Sequence, residues 1–235
     1  MNAAVATGKT KMSTGACFSW GGMAFLSAAV ALVSLRYLFG KGPVPDNIAL
    51  NPYVDPWIIV HAAGAATALL LGPLQFLSGL RQRKPMFHRM TGRLYVTGCL
   101  IGGVSALILA TGVTAGPIAG AGFGALGVAW LVTTGLGLHH ILNRRVRAHE
   151  RWMIRSFALT LSAVTLRIYL PLFSALGFNF PLIYRTISWM CWVPNLLLAE
   201  WYLARRQHQL THRDYGGSAT PDPMPAEPVH RPARQ

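Results

Sequence analysis

The feature that most constrains the fold of this chain is a series of six long apolar runs separated by short polar connections. A helix needs about 20 consecutive apolar residues to cross the hydrocarbon core of a bilayer. All six runs reach that length, whereas buried helices of soluble proteins are usually shorter. The sequence therefore predicts an all-α polytopic membrane protein with six transmembrane helices in one bundle, at residues 17–39, 57–80, 94–115, 118–141, 153–176 and 182–204.

The distribution of positive charge predicts the orientation of the chain. Lys and Arg total 21 residues against 7 Asp and Glu, and 14 of these 21 fall in the tails (1–16 and 207–235) or in two connections (81–93 and 143–152). The three alternate loops hold only Lys41. Connections rich in Lys and Arg stay in the cytoplasm. We therefore predict a multi-pass protein of the bacterial cytoplasmic (inner) membrane, with both termini cytoplasmic and a flexible C-terminal tail.

The formal net charge of +14 is typical of proteins that bind nucleic acid or an anionic surface. Because the positive residues lie where the connections meet the membrane, we expect them to contact anionic lipid headgroups, and we expect no nucleic-acid partner. The sequence contains no nucleophilic triad, phosphate-binding loop or metal-ligand spacing. It therefore assigns no catalytic residue and no metal, and it does not indicate an oligomeric state.

Ionisable side chains within the predicted spans indicate a first candidate site. Charged groups are costly inside a membrane and often mark functional sites there. At about 1.5 Å per residue, His61 and Arg185 lie roughly 6 Å below the outer edge, and Arg167 lies roughly 10–15 Å below it. With Tyr169 and Tyr184 nearby in sequence, these groups predict an outer pocket for an anionic or carbonyl-bearing ligand, such as a quinone headgroup. Alternatively, the arginines bond backbone carbonyls and tyrosines, and His61 makes one interhelical hydrogen bond.

Histidines at the inner ends of spans three, four and five indicate a second candidate site. A six-coordinate haem takes two neutral imidazoles that face each other across a bundle, and basic residues suit its propionates. His139 and His140 point about 100° apart on a helix, so at most one of them would face a common site. The alternative is that all are ordinary polar residues at the headgroup level. The residues that would hold a single haem b are His88, His139, His140, His149, Arg93 and Arg155.

Three further polar residues near the inner side are interpreted as structural. They are Gln75, Asn195 and Glu200. Amides and carboxylates at this depth can join neighbouring helices by hydrogen bonds or balance a nearby arginine. We therefore give them no role in binding a ligand.

The order and spacing of several short motifs resemble those of a family of predicted bacterial membrane proteins known as domain of unknown function 2306. The resemblance extends from about the second span to the end of the sixth, and it implies the membrane architecture without an activity. The motifs that carry it are HAAG (61–64), GPLQF (72–76), FHR (87–89), GRLY (92–95), HERWMIRS (149–156), TLR (165–167), WMCWVPNL (189–196) and EW (200–201).

A more limited likeness is to the b-type transmembrane cytochromes that reduce ferric iron or oxidise ascorbate. Their core resembles the segment from His88 to Arg93, in which a His-Arg pair and a Gly-Arg pair open a span. Those proteins place histidine pairs at two membrane levels. Since His61 is the only histidine predicted at the outer level, the likeness implies at most one haem, on the inner side.

These observations support three functional hypotheses. The first is a redox or quinone-interacting membrane protein that uses the inner histidines and takes a small ligand at the outer His61–Arg167–Arg185 cluster. The second is a non-redox carrier or sensor of a small anionic or lipid-like solute. The third, a structural subunit of a larger membrane complex, does not explain polar groups placed inside the spans.

Overall fold

The computed structural model describes residues 14–39 and 46–216. Within these two ranges all regular structure is helical, so the all-α class predicted from the sequence is confirmed. Most of the predicted N-terminal tail, 1–16, and residues 217–235 of the predicted C-terminal tail lie outside the described residues.

The first helix is α1 (Thr14–Ser34), which a short 3₁₀ helix continues at Leu35–Phe39. The others are α2 (Asp46–Ala49), α3 (Val54–Gln75), α4 (Ser78–Arg83), α5 (Pro85–Thr111), α6 (Pro117–Leu142), α7 (Val146–Thr160), α8 (Ser162–Ala175), α9 (Phe180–Met190) and α10 (Val193–Gly216).

Five helical stretches of the described chain are long and apolar enough to cross a membrane, which makes this a multi-pass membrane protein. The fifth stretch consists of α7 and α8 together. The stretches are Cys17–Phe39, Val54–Gln75, Pro85–Thr111, Pro117–Leu142 and Val146–Ala175.

The region predicted as the sixth span, 182–204, is divided between α9 and α10 instead of forming one long helix. Pro194 explains the break, because proline lacks the N–H that would bond the carbonyl of Met190 and its ring clashes with that carbonyl. The total of six spans and the orientation of the termini remain predictions.

Two helix ends at the first basic connection differ from the ends of the predicted spans. The second helix of the predicted bundle ends at Gln75, not at residue 80, and α5 begins at Pro85, not at residue 94. Proline is favoured in the first turn of a helix, where its missing N–H costs nothing. The basic connection between these two helices is therefore itself largely helical.

The closest helix pair is α3 and α5, and glycine makes the close approach possible. A Cβ atom on Gly64 would lie 2.7 Å from the carbonyl oxygen of Gly98 and 2.7 Å from the nitrogen of Gly102. Small residues let membrane helices approach until their backbones touch. Gly64, Gly98 and Gly102 thereby allow α3 to pack closely on α5. Beside this contact lies the main buried cluster, Ala68, Tyr95, Cys99, Trp130, Phe157 and Leu159.

The chain divides into two compact units, residues 1–199 and 200–235. All the helices from α1 to α9, and the beginning of α10, belong to the first unit. In the second unit, which is the remainder of α10 in the described chain, the guanidinium carbon of Arg205 lies 3.9 Å from the centre of the Trp201 ring.

Candidate functional site

A cavity of about 240 Å³ lies in the first unit, toward the predicted outer ends of its helices. Most of its lining is aliphatic or aromatic, and side chains from α1, α3, α5, α6, α7, α8 and α9 contribute to it. This composition is typical of small-molecule sites, in which a few polar groups fix the orientation of an otherwise apolar ligand. Its polar side chains are Ser34, Tyr37, Asn51, His61, Thr160, Ser162, Arg167 and Tyr184.

His61 lines the cavity and uses one ring nitrogen in the packing of α3 on α5. Its Nδ1 lies 2.9 Å from the carbonyl oxygen of Gly102. A carbonyl only accepts, so Nδ1 carries the hydrogen. Nε2 has no protein hydrogen-bond partner within the described ranges, and in the neutral ring it is an acceptor.

Arg167 is the one cationic side chain among the residues that line the cavity. Its Nη1 donates to the carbonyl of Ala163 at 3.1 Å, and its Nη2 donates to Ser34 Oγ at 2.7 Å. A guanidinium has five N–H donors, so three are left after these two bonds. No Asp or Glu of the described chain lines the cavity, and the charge of Arg167 is therefore balanced by no carboxylate there.

The bond to Ser34 joins the beginning of the chain to α8. Ser34 Oγ in turn donates to the carbonyl of Val30 at 2.7 Å, so the hydroxyl is held within α1 while it accepts from Arg167. Sequence reasoning did not assign Ser34 to the site. Its hydroxyl gives no ionisable signal, and nothing in the sequence places α1 beside α8.

Tyr184 brings an aromatic hydroxyl to the cavity. Its ring packs against Phe123, with 5.1 Å between ring centres, and against Phe180 at 5.2 Å. Tyr184 is thus the third of the five residues predicted for the outer pocket that lines this cavity, after His61 and Arg167.

The other two predicted pocket residues lie outside the cavity lining. Arg185 is exposed, and its Nε donates to the carbonyl of Ala115 at 2.8 Å. The Tyr169 ring is half-buried and packs against Phe173 at 6.0 Å between ring centres. Both match the alternative in which polar side chains are bonded and packed within the bundle.

A buried network of hydroxyl groups adjoins the cavity at Thr160 and Trp130, which both line it. Tyr95 Oη lies 2.9 Å from Ser156 Oγ and 3.0 Å from Thr160 Oγ1. Trp130 Nε1 donates to Thr160 Oγ1 at 2.9 Å, and Thr134 Oγ1 lies 2.7 Å from Ser156 Oγ. The network thereby joins α5, α6 and α7.

Sequence reasoning missed this network because it searched the spans for ionisable groups. A usable signal was present: hydroxyl residues recur four apart within an apolar span, at Ser156 and Thr160. Residues four apart share a helix face, so both hydroxyls face the same neighbours. Apolar spans that carry such pairs are candidates for interhelical hydrogen bonds.

At the predicted inner ends, His88 and His149 are half-buried neighbours. They lie near enough for a charge on one imidazole to act on the other. His149 Nδ1 lies 2.8 Å from the carbonyl oxygen of Gly137, which fixes the hydrogen on Nδ1 and leaves Nε2 for a ligand. A backbone carbonyl on the second ring nitrogen is the usual way in which proteins orient a histidine that binds a metal.

The remaining residues of the predicted haem site are more dispersed. Nδ1 of His88 and Nδ1 of His140 are buried and have no hydrogen-bond partner within the described ranges. His139 is exposed, with its Nε2 3.3 Å from the Asn143 amide nitrogen. Arg93 is exposed, and the Arg155 guanidinium carbon lies 4.6 Å from the centre of the Trp152 ring.

Metal ligands in proteins usually occur as sets of three or more side chains. In the described part of the chain, no three His, Cys, Asp or Glu side chains form such a group. A haem needs only two axial side chains, so it is the metal cofactor that a histidine pair alone can ligate.

The polar residues interpreted as structural have contacts of that kind in the first unit. Gln75 Nε2 donates to Thr91 Oγ1 at 2.8 Å, which joins α3 to α5. Asn195 Nδ2 lies 3.0 Å from Thr165 Oγ1 and 3.3 Å from the carbonyl of Ala158. Glu200 is exposed and belongs to the second unit.

The fold and the cavity together define a helical multi-pass membrane protein whose bundle contains a largely apolar cavity with a few polar groups. Residues 58–203 match the family described as predicted membrane protein DUF2306, and this match covers more than half of the chain. The chain belongs to that family. No curated protein and no solved structure shows significant similarity to it.

Proposed function

We propose that this protein binds a small amphipathic molecule in its outer cavity, with a carbonyl or anionic oxygen of that molecule held by Arg167. The observation that carries the proposal is a cationic side chain that lines an apolar cavity without a carboxylate partner there. A charge in such surroundings is costly unless another group compensates it. Three guanidinium donors are suited to a carbonyl or anionic oxygen of a ligand, whereas Nε2 of His61 accepts from a hydroxyl or N–H group.

The dimensions of the cavity restrict the ligand. Drug-sized molecules usually occupy about 300–1,000 Å³, and the cavity of about 240 Å³ lies just below that range. It therefore suits a compact molecule, or the headgroup of a longer one whose tail extends into lipid. A quinone headgroup and a lipid-like carboxylate both meet these requirements, and a carrier or a sensor would bind either one.

The proposal is tested by thermal unfolding of the detergent-purified protein with and without added ligand. The probes are decylubiquinone, which presents carbonyls, and laurate, which presents a carboxylate. We expect at least one of them to raise Tm, and we expect Arg167→Gln to abolish the rise. Arg185→Gln is the matched control, because Arg185 lies outside the cavity lining. If neither probe raises Tm, or if Arg167→Gln keeps the full rise, the proposed site is wrong.

A redox role is the second candidate function, with a single haem b at the predicted cytoplasmic side. The observation that favours it is the His88–His149 pair, in which a carbonyl orients one ring and the other ring has an unpartnered buried nitrogen. A bound haem would supply one-electron chemistry, and Arg93 and Arg155 would suit its propionates. In this hypothesis the outer ligand is a quinone.

The visible spectrum of the purified protein before and after dithionite tests the redox candidate. A Soret band that sharpens on reduction, with separate α and β bands, is expected, and it should be lost in His88→Ala and His149→Ala. His139→Ala is the control, because His139 is exposed. A colourless protein that takes up no added haem would eliminate this candidate and leave the outer ligand proposal standing.

For the location, we propose a bacterial cytoplasmic membrane, with the basic connections in contact with anionic headgroups. This is supported by exposed cationic side chains at the junctions α4–α5 and α6–α7, namely Arg81, Arg83, Lys84, Arg89, Arg144, Arg145 and Arg147. Juxtamembrane Lys and Arg each contribute about 1 kcal/mol of attraction to an anionic leaflet. Labelling of a single cysteine introduced at Arg145 in intact cells and in inverted vesicles tests the orientation: reaction in intact cells would reverse it.

A further inference from the structure

The hydroxyl groups that adjoin the cavity follow a definite order of donors and acceptors. Thr160 Oγ1 donates its single hydrogen to the carbonyl of Ser156 at 2.9 Å. It therefore accepts from both Trp130 Nε1 and Tyr95 Oη. Since Tyr95 has given its hydrogen to Thr160, it accepts from Ser156 Oγ, which in turn accepts from Thr134 Oγ1. Every hydrogen of these groups has an acceptor.

This order defines a continuous chain of O–H groups, which we name the hydroxyl chain: Thr134, Ser156, Tyr95 and Thr160. All four side chains are at most 4% exposed, so lipid and bulk water do not interrupt the chain. A hydroxyl both donates and accepts, so a series of them can pass a proton along without any member changing its charge in the end.

The two ends of the hydroxyl chain lie in different surroundings. Thr160 lines the cavity, where Nε2 of His61 is an acceptor. Thr134 lies nearer the predicted inner end of α6, three residues before Gly137, whose carbonyl accepts from His149. Three residues of helix advance about 4.5 Å, so the chain leads from the cavity toward the level of the inner histidines.

We propose that the hydroxyl chain is a proton relay that opens into the outer cavity at Thr160. When a proton arrives at Thr134, its oxygen passes its own hydrogen to Ser156, Ser156 passes one to Tyr95, and Tyr95 passes one to Thr160. The Thr160 hydroxyl turns from the Ser156 carbonyl to the cavity and releases its hydrogen to His61 Nε2 or to a ligand oxygen. One O–H bond forms and one breaks at each member, and one proton leaves for each that enters.

The relay predicts that the Tyr95 hydroxyl exchanges hydrogen rapidly although the residue is only 1% exposed. The test is carbon NMR of the detergent-purified full chain, labelled with ¹³C at the Cζ atom of its seven tyrosines, in equal H₂O and D₂O. Slow exchange splits a Cζ signal into two lines by the isotope shift, and rapid exchange gives one averaged line. The signal of Tyr95 is assigned by its loss in Tyr95→Phe.

We expect one line in the natural protein and two lines in Thr160→Val, which removes the link to the cavity and keeps the side-chain shape. Thr160→Ser, which retains a hydroxyl, should restore the single line. The matched control is Thr133→Val, because Thr133 donates only to carbonyls of its own helix, at Ala129 and Trp130. That variant should keep one line.

Two lines in the natural protein would overturn the relay, and so would a single line that persists in Thr160→Val. Opening of the helices is a separate source of rapid exchange. It is measured by exchange of the backbone N–H groups of Tyr95 and Ser156, which should remain slow. Rapid exchange at those two groups would also overturn the proposal. Since the NMR measurement needs no ligand, its outcome is independent of the thermal-shift test of the cavity.

Discussion

The predicted outer cavity and the predicted inner histidine site differ in the sequence separation between the partners of their hydrogen bonds. In the cavity, His61 bonds a residue 41 positions away and Arg167 bonds one 133 positions away. At the inner site, His139 bonds a residue 4 positions away and His149 one 12 positions away. The hydrogen bonds of the cavity therefore join distant parts of the chain, whereas those of His139 and His149 stay close to the connection between α6 and α7.

This difference predicts that substitutions around the cavity affect stability more than those at the inner site. Four changes test it, from the largest expected effect to the smallest. All are measured as changes in Tm and in the free energy of unfolding of the detergent-purified protein.

The largest effect is expected for Gly64→Leu, at the contact of α3 with α5. A Cβ there would lie 2.7 Å from backbone atoms that cannot move aside as a side chain can. Overpacking usually lowers the free energy of unfolding by about 1–3 kcal/mol. We expect a loss at or above the upper end of that range, because the contacted atoms belong to the backbone. Gly135→Ala is the control, because a Cβ there meets nothing within 4 Å. Equal Tm values for the two variants would contradict the described helix contact.

The second effect is expected for Tyr95→Phe, which keeps the ring and removes the hydroxyl. The Ser156 hydroxyl then loses its acceptor and Thr160 loses one of its donors. Leaving buried polar groups unsatisfied costs about 1–3 kcal/mol. The comparison is Tyr169→Phe, at a ring that packs against Phe173, where we expect a change within about 0.5 kcal/mol. A smaller loss for Tyr95→Phe than for Tyr169→Phe would show that the network is not satisfied as described.

The third effect is expected for Ser34→Ala. The change removes one acceptor of Arg167, while the guanidinium keeps its bond to the Ala163 carbonyl and its access to the cavity. A hydrogen bond to a charged group contributes about 1.5–3 kcal/mol, and we expect a loss at or below the lower end of that range because the guanidinium keeps its other acceptor. Ser105→Ala is the matched change, because Ser105 donates only to carbonyls of its own helix, at Ile101 and Gly102. If both variants lose the same free energy of unfolding, the bond between Ser34 and Arg167 is refuted.

The smallest effect is expected for His139→Ala at the inner site. The side chain is exposed and its hydrogen-bond partner, Asn143, is one turn away on the same helix end. Exposed substitutions of this kind usually change stability by no more than about 0.5 kcal/mol. A loss greater than that of Ser34→Ala would reverse the contrast between the two regions.

Hydropathy was sufficient to predict the helical membrane class. The cost of placing charge in a membrane was sufficient to select His61 and Arg167 as residues of one site. The rotation of each helix was not predictable, because spans that are apolar on all sides show no preferred face. Residues that bond across the bundle without carrying charge, such as Ser34 and Thr160, were missed for the same reason.

Two differences between the prediction and the structure had signals in the sequence. Tyr184 and Arg185 are adjacent, so they point about 100° apart and could not both face one cavity. The same angle separates His139 from His140. Of Tyr184 and Arg185, only Tyr184 lines the cavity. Pro194 likewise marked an interruption within the region predicted as one continuous sixth span.

The bond between Ser34 and Arg167 also has a consequence for the order of biosynthesis. Ser34 is 133 residues ahead of Arg167, so at about 5–20 residues per second it leaves the ribosome roughly 7–27 s earlier. The hydroxyl that accepts from the guanidinium is therefore synthesised before the charged side chain that needs it.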